Sequence, residues 1–445
     1  MLTSRAAKIK KRAKQDLTGP NIPTFQRANV PTFLRALLLS ACALFLLSPP
    51  VSSASSVFYS LTGSFTYDLN AFYNVFDLNQ AGTIGVSLTS DVGDRIQSGL
   101  LISFDPATGA QLDSMQMGFG PIEVRLVETD QGSRVVVLTT EGDGGAVTIL
   151  DMDSAGKLSP RAARRLSTNL VDFRSNMVFS PSQRIGFEIV LDSASRPELV
   201  AFSLDDASVI SLTPAFGPGL VTQTLAIKEA HGRRLLGYIN AVFNQWHLIV
   251  MDATDVSHPV EVSDVVLPSS PASSGNGFPA IFFSSDLRYA FTSSTGDTVS
   301  VIKIKNQSAI RHFFIGFYDW MAYVETDSNI YLAVIGPPPA GQYQAFSVTL
   351  LDASAPKKTH IIGQATISYD IDPLASLQFS RSGDRLYVAS EAGLTVYEVP
   401  SLSVLSQTPL RDKHEGRIHT LRTWGNPSSV LAAWGVFSAV YGFFQ

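Results

Sequence analysis

The chain has 445 residues, 45% of them apolar and 16% charged, with a formal net charge of −5. That composition supports a large buried core and excludes a disordered polymer. Residues 1–54 hold eight Lys/Arg against the single acid Asp16, a balance of +7, so the remaining chain carries −12. An acidic body excludes a nucleic-acid grip, which needs cations clustered at phosphates.

The basic start runs into RALLLSACALFLLSPPVSSASS. Arg35 closes a positive region, Ala36 to Leu47 is apolar, and Ser52-Ser53-Ala54 offers small residues for cleavage. This predicts a basic region and secretory signal over residues 1–54, cut after Ala54, and a single exported domain over 55–445. The apolar run is shorter than the roughly 20 residues of a membrane span. Cys42 is the only cysteine. Leu39-Ser40-Ala41-Cys42 resembles a bacterial lipoprotein box and implies lipidation at Cys42, whereas apolar residues continuing to Leu47 favour simple cleavage. Cleavage leaves a body without cysteine, which excludes disulfides, thiol catalysis and covalent haem.

FYSLTGSFTYDL (58–69) reads as an orphan strand. Strand–turn–strand units follow: LNQAGTIGVSLT (78–89), VETDQGSRVVVLTT (127–140), FSPSQRIGFEIV (179–190), KEAHGRRLLGYI (228–239), FFSSDLRYAFTS (282–293), VETDSNIYLAVI (324–335), FSRSGDRLYVAS (379–390) and TWGNPSSVLAAW (423–434). In the seventh, apolar and polar residues alternate as in a half-buried strand, and Gly383 supplies the turn. The residues opening the second strands are Thr83, Arg134, Arg184, Arg234, Arg288, Asn329, Arg385 and Ser428, spaced by 41 to 56 residues. Spacing near 50 over the whole chain signals a repeat array. Third strands end in Asp105, Asp151, Asp205, Asp252 and Asp352, each expected to accept its own backbone N–H two residues on and so close a turn.

FSRSGDRLYVAS resembles the second-strand motif of the YVTN-type β-propeller family of bacterial surface and periplasmic proteins. ISFDPATGAQLDSMQMG (102–118) resembles that family's strand–Asp–turn–outer-strand motif. Spacing is longer here, and residues 171–190 and 324–348 depart from the motif. The resemblance implies an all-β, WD40-like propeller of seven or eight four-stranded antiparallel blades. The tail IHTLRTWGNPSSVLAAWGVFSAVYGFF (418–444) supplies three strands, so the N-terminal strand is expected to complete the C-terminal blade and close the ring. The uncharged segment Val430 to Phe444 also admits a short membrane anchor, although its glycines and alternating aromatics favour strands.

No Gly-rich phosphate loop, GxSxG elbow or HExxH spacing occurs. The seven histidines are scattered and read as turn or surface residues. Asp151-x-Asp153-x-x-Gly156 resembles a calcium loop without its downstream Glu. The tryptophans do not recur with the repeat, unlike those of quinone-cofactor propellers. A propeller gathers its ligand site on blade-to-blade and second-to-third-strand loops around the channel. Here those loops include NLVDFRSN (169–176), PSSPASSGNGFP (268–279), GFYDWM (316–321) and SYDIDPLA (368–375). The candidate ligand-binding residues are Asp172, Arg174, Trp246, Phe278, Tyr318, Asp319, Trp320, Tyr369, Asp370 and Asp372. Aromatics beside polar groups on loops suit protein or glycan recognition, and the same rings serve equally as channel plugs. The expected function is a monomeric, non-enzymatic scaffold of the cell surface or periplasm, with no cofactor and no nucleic acid. The membrane would enter only through the export signal or lipidation. The alternative is a lactonase-type or related hydrolase, with Asp172, Asp319, Asp370 and Asp372 lining the channel, with or without a divalent metal.

Overall fold

The computed structural model describes residues 60–66, 76–90, 99–117, 121–141, 144–166, 176–191, 196–214, 219–242, 245–268, 280–293, 298–314, 321–336, 345–368, 376–390, 393–409, 417–424, 429–435 and 439–444. The expected signal segment and Cys42 lie outside them.

β1 (Ser60–Thr66) is followed by seven consecutive four-stranded meanders. The first sheet is β2 (Phe76–Leu78), β3 (Gly85–Ser90), β4 (Gly99–Phe104) and β5 (Gln111–Gln116). The second is β6 (Pro121–Thr129), β7 (Gly132–Glu141), β8 (Gly144–Met152) and β9 (Leu158–Arg165). The third is β10 (Val178–Ser180), β11 (Ile185–Leu191), β12 (Pro197–Ser203) and β13 (Val209–Pro214). The fourth is β14 (Gly219–Ala230), β15 (Arg233–Val242), β16 (Gln245–Asp252) and β17 (Val260–Leu267). The fifth is β18 (Ile281–Phe283), β19 (Tyr289–Ser293), β20 (Thr298–Lys303) and β21 (Ser308–Phe314). The sixth is β22 (Met321–Glu325), β23 (Ile330–Gly336), β24 (Ala345–Asp352) and β25 (His360–Ser368). The seventh is β26 (Ser376–Phe379), β27 (Arg385–Ser390), β28 (Gly393–Glu398) and β29 (Val404–Thr408).

The eighth sheet is β30 (Arg417–Trp424), β31 (Ser429–Gly435) and β32 (Ala439–Phe444), with β1 as its fourth strand. β1 pairs antiparallel with β32 in a register that sets Ser64 opposite Tyr441 and Phe65 opposite Val440. The chain's first strand therefore completes its last sheet, and the described residues form eight sheets. Residues 430–435 and 439–444 are strands of that sheet, as their glycines and aromatics suggested. No helix among the described residues is long and apolar enough to cross a membrane.

Among the described residues, the first strands β2 and β6, β10 and β14, β14 and β18, and β22 and β26 lie beside one another, and β30 lies beside both β26 and β2. Clusters of buried side chains join the first sheet to the second, the second to the third, the third to the fourth, the fourth to the fifth, the fifth to the sixth and the sixth to the seventh, so the sheets between them bury both faces. In β7, Val135 and Val137 pack toward the first sheet, while Val136 and Leu138 pack toward the third. Successive side chains point to opposite faces, so a strand between two neighbours is apolar throughout. This differs from the half-buried alternation expected for residues 385–390, of which all but Arg385 are buried. Alternation belongs to the outermost strands: β13 alternates half-buried and exposed, and β5 does the same from Leu112 to Gln116.

The glycines of IG in the first and third units have a packing reason. Gly85 and Gly186 stand opposite Phe104 and Phe202, both fully buried. A Cβ at either glycine would enter the facing ring. Gly383 takes the expected positive φ, +74°. In the corresponding turns of the third and fifth sheets, Arg184 (φ 54°) and Leu287 (φ 57°) accept that strained conformation without being glycine.

Candidate functional site

Nine of the ten residues proposed for the channel-face loops, Asp172, Arg174, Phe278, Tyr318, Asp319, Trp320, Tyr369, Asp370 and Asp372, lie outside the described residues. Trp246 is described. It sits on β16 opposite Ala241 and Leu267, half-buried, packed against the cluster of Leu235, Ile239, Leu248, Ile281 and Phe283 that joins the fourth and fifth sheets.

The opposite face is built by the turns between first and second strands and between third and fourth strands. Its carboxylates are mostly committed. Asp105 accepts the Ala107 N–H at 2.8 Å, Asp252 the Thr254 N–H at 3.0 Å, and Asp352 the Ser354 N–H at 2.8 Å. These are the expected turns. In the third sheet the position belongs to Ser203, whose Oγ accepts the Asp205 N–H at 3.1 Å. Asp205 binds Arg184 Nε at 2.9 Å instead, and Asp151 binds Arg134 Nη1 at 2.8 Å. The turn of the second sheet is closed by Asp153, which accepts the N–H groups of Ala155 and Lys157. With Asp151 and Asp153 so used, the faint calcium loop has no donors to spare, and no cluster of three or more metal-ligating side chains occurs among the described residues.

The arginines do not form a single ladder. Arg184, Arg234 and Arg288 share a position, each giving its carbonyl to the N–H that follows the third strand. Arg134 and Arg385 stand one residue further along, opposite Asp151 and Glu398. A shift of one residue puts a side chain on the other face of its strand.

A second set of acids joins neighbouring sheets. Glu128 accepts the Gln80 N–H at 3.0 Å, Glu229 the Ser182 hydroxyl at 3.3 Å, and Glu325 both the N–H and hydroxyl of Ser285 at 2.7 Å. These bonds tie first to second, third to fourth and fifth to sixth sheets. The Glu325 carboxylate also accepts the hydroxyl of Tyr323, whose burial pushes its pKa well above the usual phenol range. Burial works against ionising Glu229, but hydrogen bonds from Ser180 and Arg234 outweigh it and hold its pKa low. At the rim, Asp113 of β5 accepts the Leu158 N–H at 2.8 Å, a bond that lowers its pKa, and Arg161 of β9 donates to the Asp205 carbonyl at 2.7 Å. Sequence reading missed this set. Its signal was VETD at 127 and 324 with KEAH at 228, recurring in alternate units.

Two clefts open on this face. One of about 290 Å³ lies between the third and fourth sheets, lined by Ser182, Glu229, Arg233, Arg234 and Thr254. Arg234, 3% exposed, spends its nitrogens there on Glu229 at 2.6 Å, the Ala253 carbonyl at 3.0 Å and Ser180 Oγ at 3.1 Å. The other, about 500 Å³, lies in the second sheet between Gln131–Arg134 and Asp151–Arg161. The described histidines are local: Nδ1 of His247 meets Asp264 at 2.7 Å and that of His312 meets Ser300 at 3.0 Å.

No protein-family model matches the chain. No curated protein matches it in sequence. Solved structures do match in shape. The C-terminal WD40 domain of Sif2 aligns at TM-score 0.56 and 10% identity, over 87% of this chain and 99% of that one. The quinohemoprotein alcohol dehydrogenase ADHIIG from Pseudomonas putida HK5 aligns at 0.56 and 9%, over 86% and 76%. BamB from Moraxella catarrhalis aligns at 0.52 and 12%, over 87% and 98%. Likeness at this identity speaks to architecture and not to activity: the chain is an all-β, WD40-like propeller of four-stranded antiparallel blades.

Proposed function

We propose that this protein is an exported, non-enzymatic scaffold that binds a protein or glycan on the loop face around its channel, as a monomer at the cell surface or in the periplasm. The observation carrying this reading is the propeller architecture, whose shape matches a WD40 domain and BamB; on the opposite face the described carboxylates are taken up by the fold. Asp105, Asp252 and Asp352 close turns, while Asp113, Glu128, Glu229 and Glu325 join sheets. Export is supported by the basic and apolar segment of residues 1–54, with Cys42 as the one position for a lipid. FSRSGDRLYVAS and ISFDPATGAQLDSMQMG support kinship with YVTN-type propellers. The structural likeness to BamB and to a WD40 domain supports a scaffold, and the likeness to a dehydrogenase is a reminder that the same architecture hosts enzymes.

The test is elemental mass spectrometry of dialysed residues 55–445, with lactone and ester turnover, and binding to glycan and peptide arrays. Saturable array binding that falls at least about tenfold in Tyr318→Ala or Trp320→Ala, without turnover, supports the scaffold. One divalent metal per chain, with turnover abolished by Asp172→Asn, Asp319→Asn, Asp370→Asn or Asp372→Asn, overturns it in favour of the hydrolase.

A further inference from the structure

We infer that the 500 Å³ cleft in the second sheet is a binding site for a carboxylate group, separate from the channel-face loops and independent of the reading above. It opens at the other end of the strands, so the two can fail separately. Three cations line it, Arg134, Lys157 and Arg161, against two acids, Asp151 and Asp153. Asp153 is held by its own turn. Asp151 lies between the arginines, 2.8 Å from Arg134 Nη1 and 3.3 Å from Arg161 Nη1. It already shows that these guanidinium groups donate to a carboxylate.

Arg134 carries the argument. Its side chain is 5% exposed, yet among the described residues it meets only Asp151 and, at 3.5 Å, the Ser133 carbonyl, and its buried Nε has no partner among them. Arg234 in the fourth sheet is as deeply buried and has a partner for each of its three nitrogens. Buried donors are nearly always satisfied, and an orphan on a charged group is costly enough to call for a reason. Beside it the exposed Lys157 makes no ion pair among the described residues and only lends its field to Asp113. A buried, under-used guanidinium next to a free ammonium in a cleft of ligand size suits an acceptor from outside. The carboxylate can come from a free organic acid or from an acidic peptide.

The test is calorimetric titration of the purified full chain, at fixed ionic strength, with citrate, an eight-residue polyglutamate peptide and inorganic phosphate. Saturable binding of citrate or the peptide is expected, weakened about tenfold or more by Lys157→Ala, whose melting temperature should match wild type. Arg134→Met is the second variant and should weaken binding at least as much. Citrate alone would identify a free acid as the ligand, and the peptide alone an acidic segment. The proposal is overturned if neither carboxylate binds, if only phosphate binds, or if Lys157→Ala and wild type bind alike.

Discussion

At the scale of single residues, the turn acids do measurable structural work. Asp252 accepts the N–H and hydroxyl of Thr254 and pairs with Arg233 at 2.7 Å. Asp252→Ala should lower stability by about 0.5–2 kcal/mol, the range for a lost side-chain cap, and leave ligand binding unchanged. Urea unfolding monitored by Trp fluorescence would show it; a variant that kept full stability but lost binding would move Asp252 from the fold to the site. Asp206 gives the pH counterpart. The Ser208 hydroxyl, then Ser203 and the Ser208 N–H, pull its carboxyl from 3.8 down to about 2. A carboxylate with a depressed folded-state pKa stabilises the fold above its unfolded value and loses that effect as pH falls through the folded one. Asp206→Ala should therefore unfold at lower urea than wild type at pH 6, and the gap should close as pH drops from about 4 to 2. A gap independent of pH would mean the carboxylate charge plays no part.

At the scale of elements, glycine and ring act as one unit. Gly186→Ala should cost about 1–3 kcal/mol by overpacking against Phe202. Gly186→Ala with Phe202→Leu should lose clearly less than the sum of the single changes, because the smaller side chain makes room for the methyl group. Additive losses in thermal melts would show that the pair does not communicate. Strands and their order were legible in the sequence because β-branched runs and turn residues recur with each sheet. What escaped was counting within turns. Arg134 and Arg234 align by eye, but Thr129 pairs with Gly132 across one turn and Ala230 with Arg233 across the other, which places Leu235, not Arg234, opposite the Asp that ends the third strand. Periodicity reports which residues alternate and is blind to a one-residue offset. The recurrence of Glu in alternate units was visible but has no meaning until neighbouring sheets are seen face to face. The candidate site was legible only as loop composition, since a loop's aromatics and acids acquire a geometry from the sheets that hold them.

At the scale of the whole molecule, stability depends on what the first strand does for the last sheet. Each sheet covers its neighbours, so a gap between first and last would expose two apolar faces together. The orphan reading of residues 58–69 anticipated a strand exchanged across the chain ends, and β1 pairs with β32 through Ser64–Tyr441 and Phe65–Val440. Adjacent antiparallel pairs alternate between hydrogen-bonded and non-hydrogen-bonded geometry, which differ by about 1 Å in Cα separation. Both fall near the span of a disulfide. A body lacking the only cysteine, Cys42, makes the experiment clean. In residues 55–445, Ser64→Cys with Tyr441→Cys, or Phe65→Cys with Val440→Cys, should oxidise spontaneously in at least one case. The bond would close a loop of nearly the whole chain, and the oxidised form should melt several degrees above the reduced one, with a stabilisation of about 2–4 kcal/mol. The matched single-cysteine variants should show no such difference. If neither double variant crosslinks within the monomer, the first strand does not hold the last sheet, and eight sheets would stand in an open arc with their end faces bare.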